Sequence, residues 1–169
     1  MTKITLSVMK KICKNIKLVI TDVDGILTDG GMYYSEKGEI LKKFNTRDGM
    51  GFELLRNNQI HTVILTREKS KIVIMRGKKI KADEIFIGIT KKEEKLNEIC
   101  KKYKILPENI AYLGDDINDK KIMKLVGFPA TCNDGILEIK EISKYISKLN
   151  GGQGVFRDVT DLILKYKFQ

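Results

Sequence analysis

Residues 18–25 read LVITDVDG, an apolar run that ends in two aspartates and a glycine. The run predicts a buried β-strand at about residues 17–22. Side chains two residues apart in a strand lie on the same face, so we expect Asp22 and Asp24 to bring two carboxyl groups to one point. Oxygen ligands that converge in this way suit Mg²⁺, and a carboxylate beside such a metal can attack phosphorus. A merely acidic loop would give the same pattern, so this motif alone establishes no function.

Length and composition fit one domain, residues 1–169, with a hydrophobic core. Hydrophobic residues make up 42% of the 169 residues and only 2 are proline, which argues against disorder. No apolar run approaches the roughly 18 residues that cross a membrane. Residues 1–17 indicate a short helix or an irregular lead-in, not a signal peptide. The three cysteines, Cys13, Cys100 and Cys132, match no zinc spacing or disulfide framework, which favours a reducing, cytoplasmic location.

The net charge of +10 has two possible readings, nucleic-acid binding or a positive field that attracts an anionic small molecule. The lysines occur as scattered pairs, and the sequence has neither a basic tail nor a basic stripe interleaved with aromatic residues. We therefore expect no nucleic-acid partner and no membrane partner.

Downstream, apolar runs alternate with amphipathic stretches, which predicts an α/β fold with a parallel sheet flanked by helices. Strands are predicted at about 17–22, 62–66, 84–87, 110–113 and 128–132. Helices are predicted at about 48–57, 70–79, 92–103, 119–126 and 136–142, with a last helix through 161–164. Asp48 and Ser70 are the predicted N-caps of the first two helices. Two short β-favouring runs predict a β-hairpin at about 31–44.

Polar residues follow each of the first four predicted strands. Active sites of open parallel sheets gather outside the carboxyl ends of the strands, so these residues are expected to meet. They are Asp22 and Asp24, then Thr66, then Lys92 after the third strand, then Asp115 and Asp116. Carboxylates, a hydroxyl and an ammonium in this arrangement predict a site for phosphate and magnesium.

On these residues the chain resembles the haloacid dehalogenase superfamily of phosphotransferases, over about residues 16–165. The four motifs of that superfamily match TDVDG at 21–25, Leu65-Thr66, Lys92, and GDDIND at 114–119. The resemblance implies a Rossmann-like fold. It also implies that Asp22 is the nucleophile and a Mg²⁺ ligand, and that Asp24 is the general acid and base, with its carbonyl on the metal.

The same resemblance implies that Thr66 and Lys92 hold the phosphoryl oxygens and that Asp115 binds the metal. Asp116 and Asp119 would support the metal site and orient Lys92. These roles fit the physics of phosphoryl transfer, in which positioning and positive charge do most of the catalysis.

A narrower resemblance rests on the missing cap domain. About 40 residues separate Asp24 from Thr66, and the hairpin fills part of them. The chain is similar to the capless subgroup that dephosphorylates 2-keto-3-deoxy sugar acids, through TDGG at 28–31, KFNTRDG at 43–49 and GGQGVFR at 151–157. In that subgroup the hairpin assembles a homotetramer and a glycine-rich tail, here about 150–157, lies near the substrate. Arg157 is thereby implied in substrate binding.

Two branches of the subgroup remain open for the substrate. Glu68 and Lys79 resemble the nine-carbon, nonulosonate branch of sialic acid biosynthesis, whereas Arg47 resembles the eight-carbon, octulosonate branch of lipopolysaccharide biosynthesis. Arg76 is taken as a further substrate-binding residue, and Arg67 departs from both branches. The residues slightly favour the nine-carbon acid, although the eight-carbon enzyme is the commoner one.

A second class of function is a non-catalytic or regulatory module, such as one associated with a sugar-nucleotide synthetase. All four motifs are present in this sequence, which favours an active phosphatase.

Overall fold

The strand that precedes Asp22 lies at the centre of the sheet. In a computed structural model, which describes residues 5–168, six parallel strands form one sheet and two antiparallel strands form a separate hairpin. The strands are β1 (Leu18–Thr21), β2 (Tyr33–Ser35), β3 (Gly38–Leu41), β4 (His61–Leu65), β5 (Glu84–Phe86), β6 (Ile110–Leu113), β7 (Phe128–Thr131) and β8 (Tyr145–Ile146). The order in the large sheet is β5-β4-β1-β6-β7-β8, so β1 is flanked by β4 and β6.

Seven helices accompany these strands in the described residues. They are α1 (Leu6–Asn15), α2 (Thr46–Asn57), α3 (Lys71–Lys79), α4 (Lys92–Tyr103), α5 (Lys120–Met123), α6 (Leu137–Ile142) and α7 (Val155–Lys167). Short 3₁₀ turns precede β6 and α5. The predicted α/β, Rossmann-like sheet with a hairpin insertion is confirmed.

Side-chain alternation along β1 supplies both faces of the sheet. Val19 packs with α1, α2, α3 and α7, whereas Leu18 and Ile20 pack with α4, α5 and α6. The rings of Phe52 and Phe156 stack with centroids 4.2 Å apart, which joins α2 to α7. Because both faces are covered, the functional side chains gather at the carboxyl edge of the sheet.

The helix at 46–57 begins two residues earlier than the sequence predicted. Asn45 is its N-cap, and its Oδ1 accepts a hydrogen bond from the backbone of Arg47 at 2.9 Å. The prediction that Asp48 caps this helix is therefore wrong. Asp48 is buried, and its Oδ1 accepts a hydrogen bond from the Arg157 N–H at 3.0 Å, so it caps α7 instead.

Two further differences have local causes. Ser70 occupies the N-cap position of α3, but its hydroxyl donates to Glu39 and makes no capping bond. The strand β8 was not predicted from the sequence, because two half-buried residues at a sheet edge carry no periodic signal. Residues 1–4 of the predicted N-terminal segment lie outside the described residues.

The hairpin of β2 and β3 stands apart from the large sheet and exposes apolar side chains. The exposed residues are Met32, Tyr33, Tyr34, Ile40 and Leu41. Throughout residues 5–168, every helix is too short or too polar to cross a membrane.

Candidate active site

The carboxyl ends of the central strands open onto a cavity of about 450 Å³. Asp22, Asp24, Thr66 and Asp115 line it, although they lie up to 93 positions apart in the sequence. The cavity therefore gathers five of the six residues that the strand-end pattern predicted to meet, and the sixth, Lys92, contacts Asp22.

Asp22 is held in place from two sides. Its backbone N–H continues the β-ladder to Leu113 at 2.9 Å, and its Oδ1 accepts a hydrogen bond from the Val23 N–H at 2.7 Å. Its Oδ2 lies 2.7 Å from the Nζ of Lys92. The side chain is buried yet borders the cavity, so one carboxylate oxygen is presented by a rigid strand end.

Lys92 is the first residue of α4, and its side chain is 0% exposed. Its ammonium also lies 2.7 Å from Asp119 Oδ1, and Asp119 accepts further hydrogen bonds from the Tyr112 hydroxyl at 2.6 Å and the Asp115 N–H at 3.1 Å. Asp119 thus has both oxygens engaged and fixes the position of Lys92. Asp116 lies further out, where its Oδ1 accepts a hydrogen bond from the Ile117 N–H at 2.6 Å.

The centre carries more negative than positive charge. Burial and the neighbouring Asp119 carboxylate raise the pKa of Asp22 to about 7, although Lys92 opposes the change. Burial and the Asp22 carboxylate raise the pKa of Asp115 to about 8. Burial lowers the pKa of Lys92, but Asp22 and Asp119 outweigh it, so the ammonium persists. One ammonium does not balance three carboxylates, so the site favours a further cation.

The donor set fits a divalent metal ion. Carboxylate oxygens of Asp22, Asp115 and Asp119 lie within 4.8 Å of one another, and Asp115 Oδ1 is buried with no hydrogen-bond partner among the described residues. Hard oxygen donors of this kind suit Mg²⁺. Gly25 permits the arrangement, because a Cβ at that position would lie 2.0 Å from Asp115 Oδ2.

Asp24 is engaged by a lysine that the sequence did not single out. Its Oδ1 lies 2.6 Å from the Nζ of Lys42 and 3.3 Å from the Thr28 hydroxyl. The Lys42 ammonium also pairs with Glu39 at 2.7 Å. Burial lowers the pKa of Lys42, but the Asp24 and Glu39 carboxylates outweigh the effect of burial. The pKa of Lys42 is therefore raised. The contact left no periodic signal in the sequence, because Asp24 and Lys42 are 18 positions apart in irregular segments.

Thr66 directly follows β4 and lies buried at the cavity wall. Its Oγ1 accepts a hydrogen bond from the Glu68 N–H at 3.2 Å, which shapes the loop that follows. Arg67 and Glu68 also line the cavity. Of the side chains predicted to bind the sugar part of the substrate, Glu68 alone borders this cavity.

The four other predicted substrate-binding residues line different depressions within one chain. Arg76 and Lys79 border a second cavity, of about 380 Å³, and Arg76 donates to the Asn45 carbonyl at 2.9 Å. Arg47 and Arg157 border a third, of about 340 Å³, and Arg157 Nε lies 2.7 Å from Asp161 Oδ1.

The glycine-rich tail packs directly on the loop that carries Asp24. A Cβ at Gly151 would lie 2.3 Å from the Gly25 carbonyl oxygen, so this approach requires glycine. The Gly151 N–H donates to Asp134 Oδ1 at 2.9 Å, and Asn45 Nδ2 donates to the Gly152 carbonyl at 3.2 Å. The contacts of Asp134 and Asn45 were not predicted from the sequence, because each side chain meets a distant segment of backbone.

The fold and the strand-end acids define a haloacid dehalogenase-like hydrolase. Residues 56–158 match that family, and the chain belongs to it. It is 36% identical over 161 residues to the 3-deoxy-D-manno-octulosonate 8-phosphate phosphatase KdsC of Escherichia coli strain BL21, which covers 95% of this chain and 85% of that protein.

Two solved structures share the whole architecture. One is the phosphatase of this name from Moraxella catarrhalis in complex with a magnesium ion, a phosphate ion and KDO, with TM-score 0.92, 34% identity, and coverage of 96% of this chain and 94% of that one. The other is the cobalt-bound deoxy-D-mannose-octulosonate 8-phosphate phosphatase of Haemophilus influenzae, with TM-score 0.90, 33% identity, and coverage of 92% and 91%. These relatives give no support to the alternative of a regulatory module.

Proposed function

We propose that this protein is a Mg²⁺-dependent phosphatase that hydrolyses the phosphate monoester of a 2-keto-3-deoxy sugar acid. The observation that carries the proposal is the cluster at the strand ends, in which Asp22 contacts the Lys92 ammonium and carboxylate oxygens of Asp22, Asp115 and Asp119 lie within 4.8 Å of one another. A phosphoryl group needs a nucleophile, positive charge and fixed geometry, and this cluster offers all three.

In the first step, an oxygen of Asp22 attacks phosphorus while the bond to the sugar oxygen breaks. Asp24 gives a proton to that oxygen as it leaves, and an aspartyl-phosphate remains on Asp22. Lys92 and Thr66 hold the equatorial phosphoryl oxygens. A Mg²⁺ ion held by Asp22, Asp115 and the Asp24 carbonyl would neutralise the repulsion between the attacking carboxylate and the anionic substrate.

In the second step, a water molecule attacks the phosphorus of the aspartyl-phosphate. Asp24 takes the proton from that water, and inorganic phosphate leaves, so both aspartates return to their starting states. Asp119 holds the ammonium of Lys92 in place through both steps. The net charge of +10 supplies a positive field that draws the anionic substrate to the molecule.

The eight-carbon 3-deoxy-manno-octulosonate 8-phosphate is the preferred candidate substrate, which would place the reaction in lipopolysaccharide biosynthesis. The names of the relatives favour it over the nine-carbon acid that Glu68 and Lys79 suggested. Lys79 and Arg47 both border different cavities from Asp22 within one chain, so their positions favour neither branch.

The test of substrate is a side-by-side assay of octulosonate 8-phosphate and a nonulosonate 9-phosphate with excess Mg²⁺. We expect kcat/KM to be at least about tenfold higher for the eight-carbon substrate, a difference of about 1.4 kcal/mol in transition-state binding. A higher value for the nine-carbon substrate would reverse the assignment. The variant Glu68→Ala, assayed with both, shows whether that side chain contributes to the discrimination.

We further propose that the hairpin mediates a homotetramer. The exposed apolar side chains around Tyr34 and Ile40 form a surface that a neighbouring copy would cover. A neighbour placed there could also complete the substrate site, because Arg47, Arg76 and Arg157 do not border the main cavity of their own chain. Light scattering should give four times the mass of the 19.3 kDa chain, and a monomer mass would refute this.

A cytoplasmic location completes the proposal. Cys13, Cys100 and Cys132 are free thiols in the described structure, which suits a reducing compartment.

A further inference from the structure

Lys42 is a buried ammonium that no motif of the site includes. It directly follows β3, so the hairpin carries it, and its side chain is 0% exposed. Its three donors face Asp24 Oδ1 at 2.6 Å, Glu39 Oε1 at 2.7 Å and the sulfur of Met32 at 3.9 Å. Ser70, which begins α3, donates to the other oxygen of Glu39 at 2.5 Å. A chain of polar contacts therefore runs from α3 through the hairpin to Asp24.

Attachment of the hairpin to the rest of the chain is, by itself, a weak explanation for a buried ammonium at Lys42. Desolvation of an ammonium costs several kcal/mol, and apolar residues of similar volume often stabilise a protein as well as a buried ion pair does. The placement of the ammonium on one particular oxygen of Asp24 is the feature that an apolar anchor would not reproduce.

The two oxygens of Asp24 have different surroundings. Oδ1 receives the Lys42 ammonium and the Thr28 hydroxyl at 3.3 Å, whereas Oδ2 is buried and has no partner among the described residues. The terminal torsion of an aspartate is broad and roughly two-fold, so an unrestrained carboxyl group would exchange its two oxygens. The Lys42 ammonium and the Thr28 hydroxyl both contact Oδ1 and so oppose this exchange.

We propose that Lys42 is a positioning residue that clamps the carboxyl group of Asp24 through Oδ1, so that this group keeps one orientation for proton exchange with the leaving oxygen and the attacking water. The inference rests on the proposed phosphatase function and deepens it. Lys42 does not touch the reacting atoms; it acts through Asp24. The clamp matters most when the leaving oxygen needs a proton, as a sugar alkoxide does, and least for a stable phenolate.

The experiment compares two substrates, octulosonate 8-phosphate and p-nitrophenyl phosphate. The leaving oxygen of the first needs a proton, whereas that of the second leaves as a stable phenolate. The main variant is the double substitution Lys42→Met with Glu39→Gln, because removal of the lysine alone would leave Glu39 as an unpaired buried charge. The measured quantity is kcat/KM, which covers the steps up to loss of the leaving group. The matched control is Lys43→Met, which removes the adjacent lysine, whose side chain is exposed.

General acid catalysis contributes about 10²- to 10⁴-fold, so we expect the double variant to lower the ratio of kcat/KM for the sugar phosphate to that for the aryl phosphate by at least about tenfold. The control should keep the wild-type ratio. An equal loss with both substrates would assign Lys42 a purely structural role and overturn the proposal. Unchanged values with both substrates would also overturn it.

A second variant keeps the test decisive if the double variant does not fold. Thr28→Val removes the other donor to Oδ1 and leaves the ion pair intact; it should lower the same ratio, by about threefold. An unchanged ratio in this variant would count against the clamp. The wild-type protein separates the two hypotheses: if it hydrolyses neither substrate, the proposed function fails, and if it hydrolyses both while no variant shifts the ratio, only the clamp fails.

Discussion

Two buried lysines each bridge two carboxylates in this molecule. Lys92 lies 2.7 Å from both Asp22 and Asp119, and Lys42 lies 2.6 Å from Asp24 and 2.7 Å from Glu39. Both side chains are 0% exposed. They lie in different parts of the fold: Lys92 is the first residue of a helix of the α/β core, whereas Lys42 belongs to the inserted hairpin.

The surroundings of the two lysines differ in charge. A third carboxylate, Asp115, lies beside the pair around Lys92, and the pKa values of Asp22 and Asp115 are raised to about 7 and about 8. Around Lys42 the two carboxylates keep partners for their oxygens, except for Asp24 Oδ2. The comparison supports two different proposed roles. We expect the core lysine to act on the phosphoryl group beside a metal ion, and the hairpin lysine to orient one carboxyl group.

Among the variants that test the difference between the two lysines, Lys92→Met is expected to show the largest loss of activity. Loss of an ammonium that stabilises the transition state should lower kcat by about 10³-fold, because one well-placed donor alone is worth 10²- to 10³-fold. The loss should be equal for sugar and aryl phosphates, since both present the same phosphoryl oxygens. Steady-state kinetics with both substrates measures it.

A loss that depended strongly on the leaving group would contradict this division of roles, because it would give Lys92 the behaviour expected of Lys42. Lys91→Met is the matched control, since that side chain is exposed and pairs with Glu94 on the surface. It should retain kcat within about twofold, as surface ion pairs contribute little.

The next largest effect concerns the excess negative charge around Lys92. Asp115→Asn should weaken Mg²⁺ binding by about 100-fold, because it removes a charged oxygen ligand. Isothermal titration calorimetry measures the affinity directly, without reference to turnover. Glu138→Gln is the control, since this acid is exposed at the start of α6. Equal Mg²⁺ affinity in the Asp115 variant and the wild type would exclude Asp115 as a ligand.

A smaller effect concerns stability and pH in the absence of metal. The pKa values of Asp22 and Asp115 lie above the ordinary aspartate value, so between pH 5 and 8 the folded protein binds more protons than the unfolded chain. The free energy of unfolding therefore falls as the pH rises through this range. In EDTA we expect Tm to drop by about 5 °C from pH 5 to pH 8.

Excess Mg²⁺ should remove most of this drop, because it binds the ionised carboxylates of the folded state. Asp115→Asn should flatten the profile measured in EDTA. A Tm that rises with pH in EDTA would show that the carboxylates are not destabilised by burial as described.

The strand-end residues of the site were predictable from sequence because they follow simple periodicities. Asp22 directly follows β1 and Asp24 lies in the turn after it, and the carboxyl ends of parallel strands must meet at one edge. Thr66 and Asp115 therefore line one cavity with them. The roles given to these residues in catalysis and metal binding stay predictions until the variants are measured.

The contacts of Lys42 and Asp48 could not be predicted in the same way. Lys42 reaches Asp24 because of the path of an irregular hairpin, and Asp48 caps a helix that begins 107 residues later in the sequence. Neither contact leaves a periodic signal. Local patterns locate strands and their ends, whereas tertiary packing decides which side chains meet.

The most direct measurement compares phosphate release from octulosonate 8-phosphate by the wild-type protein and the variant Asp22→Asn, both with excess Mg²⁺. We expect steady release by the wild type and a loss of at least about 10⁴-fold in the variant, because the amide cannot form the covalent intermediate. Comparable rates for the two proteins would contradict the assignment of Asp22 as the nucleophile, and with it the proposed mechanism.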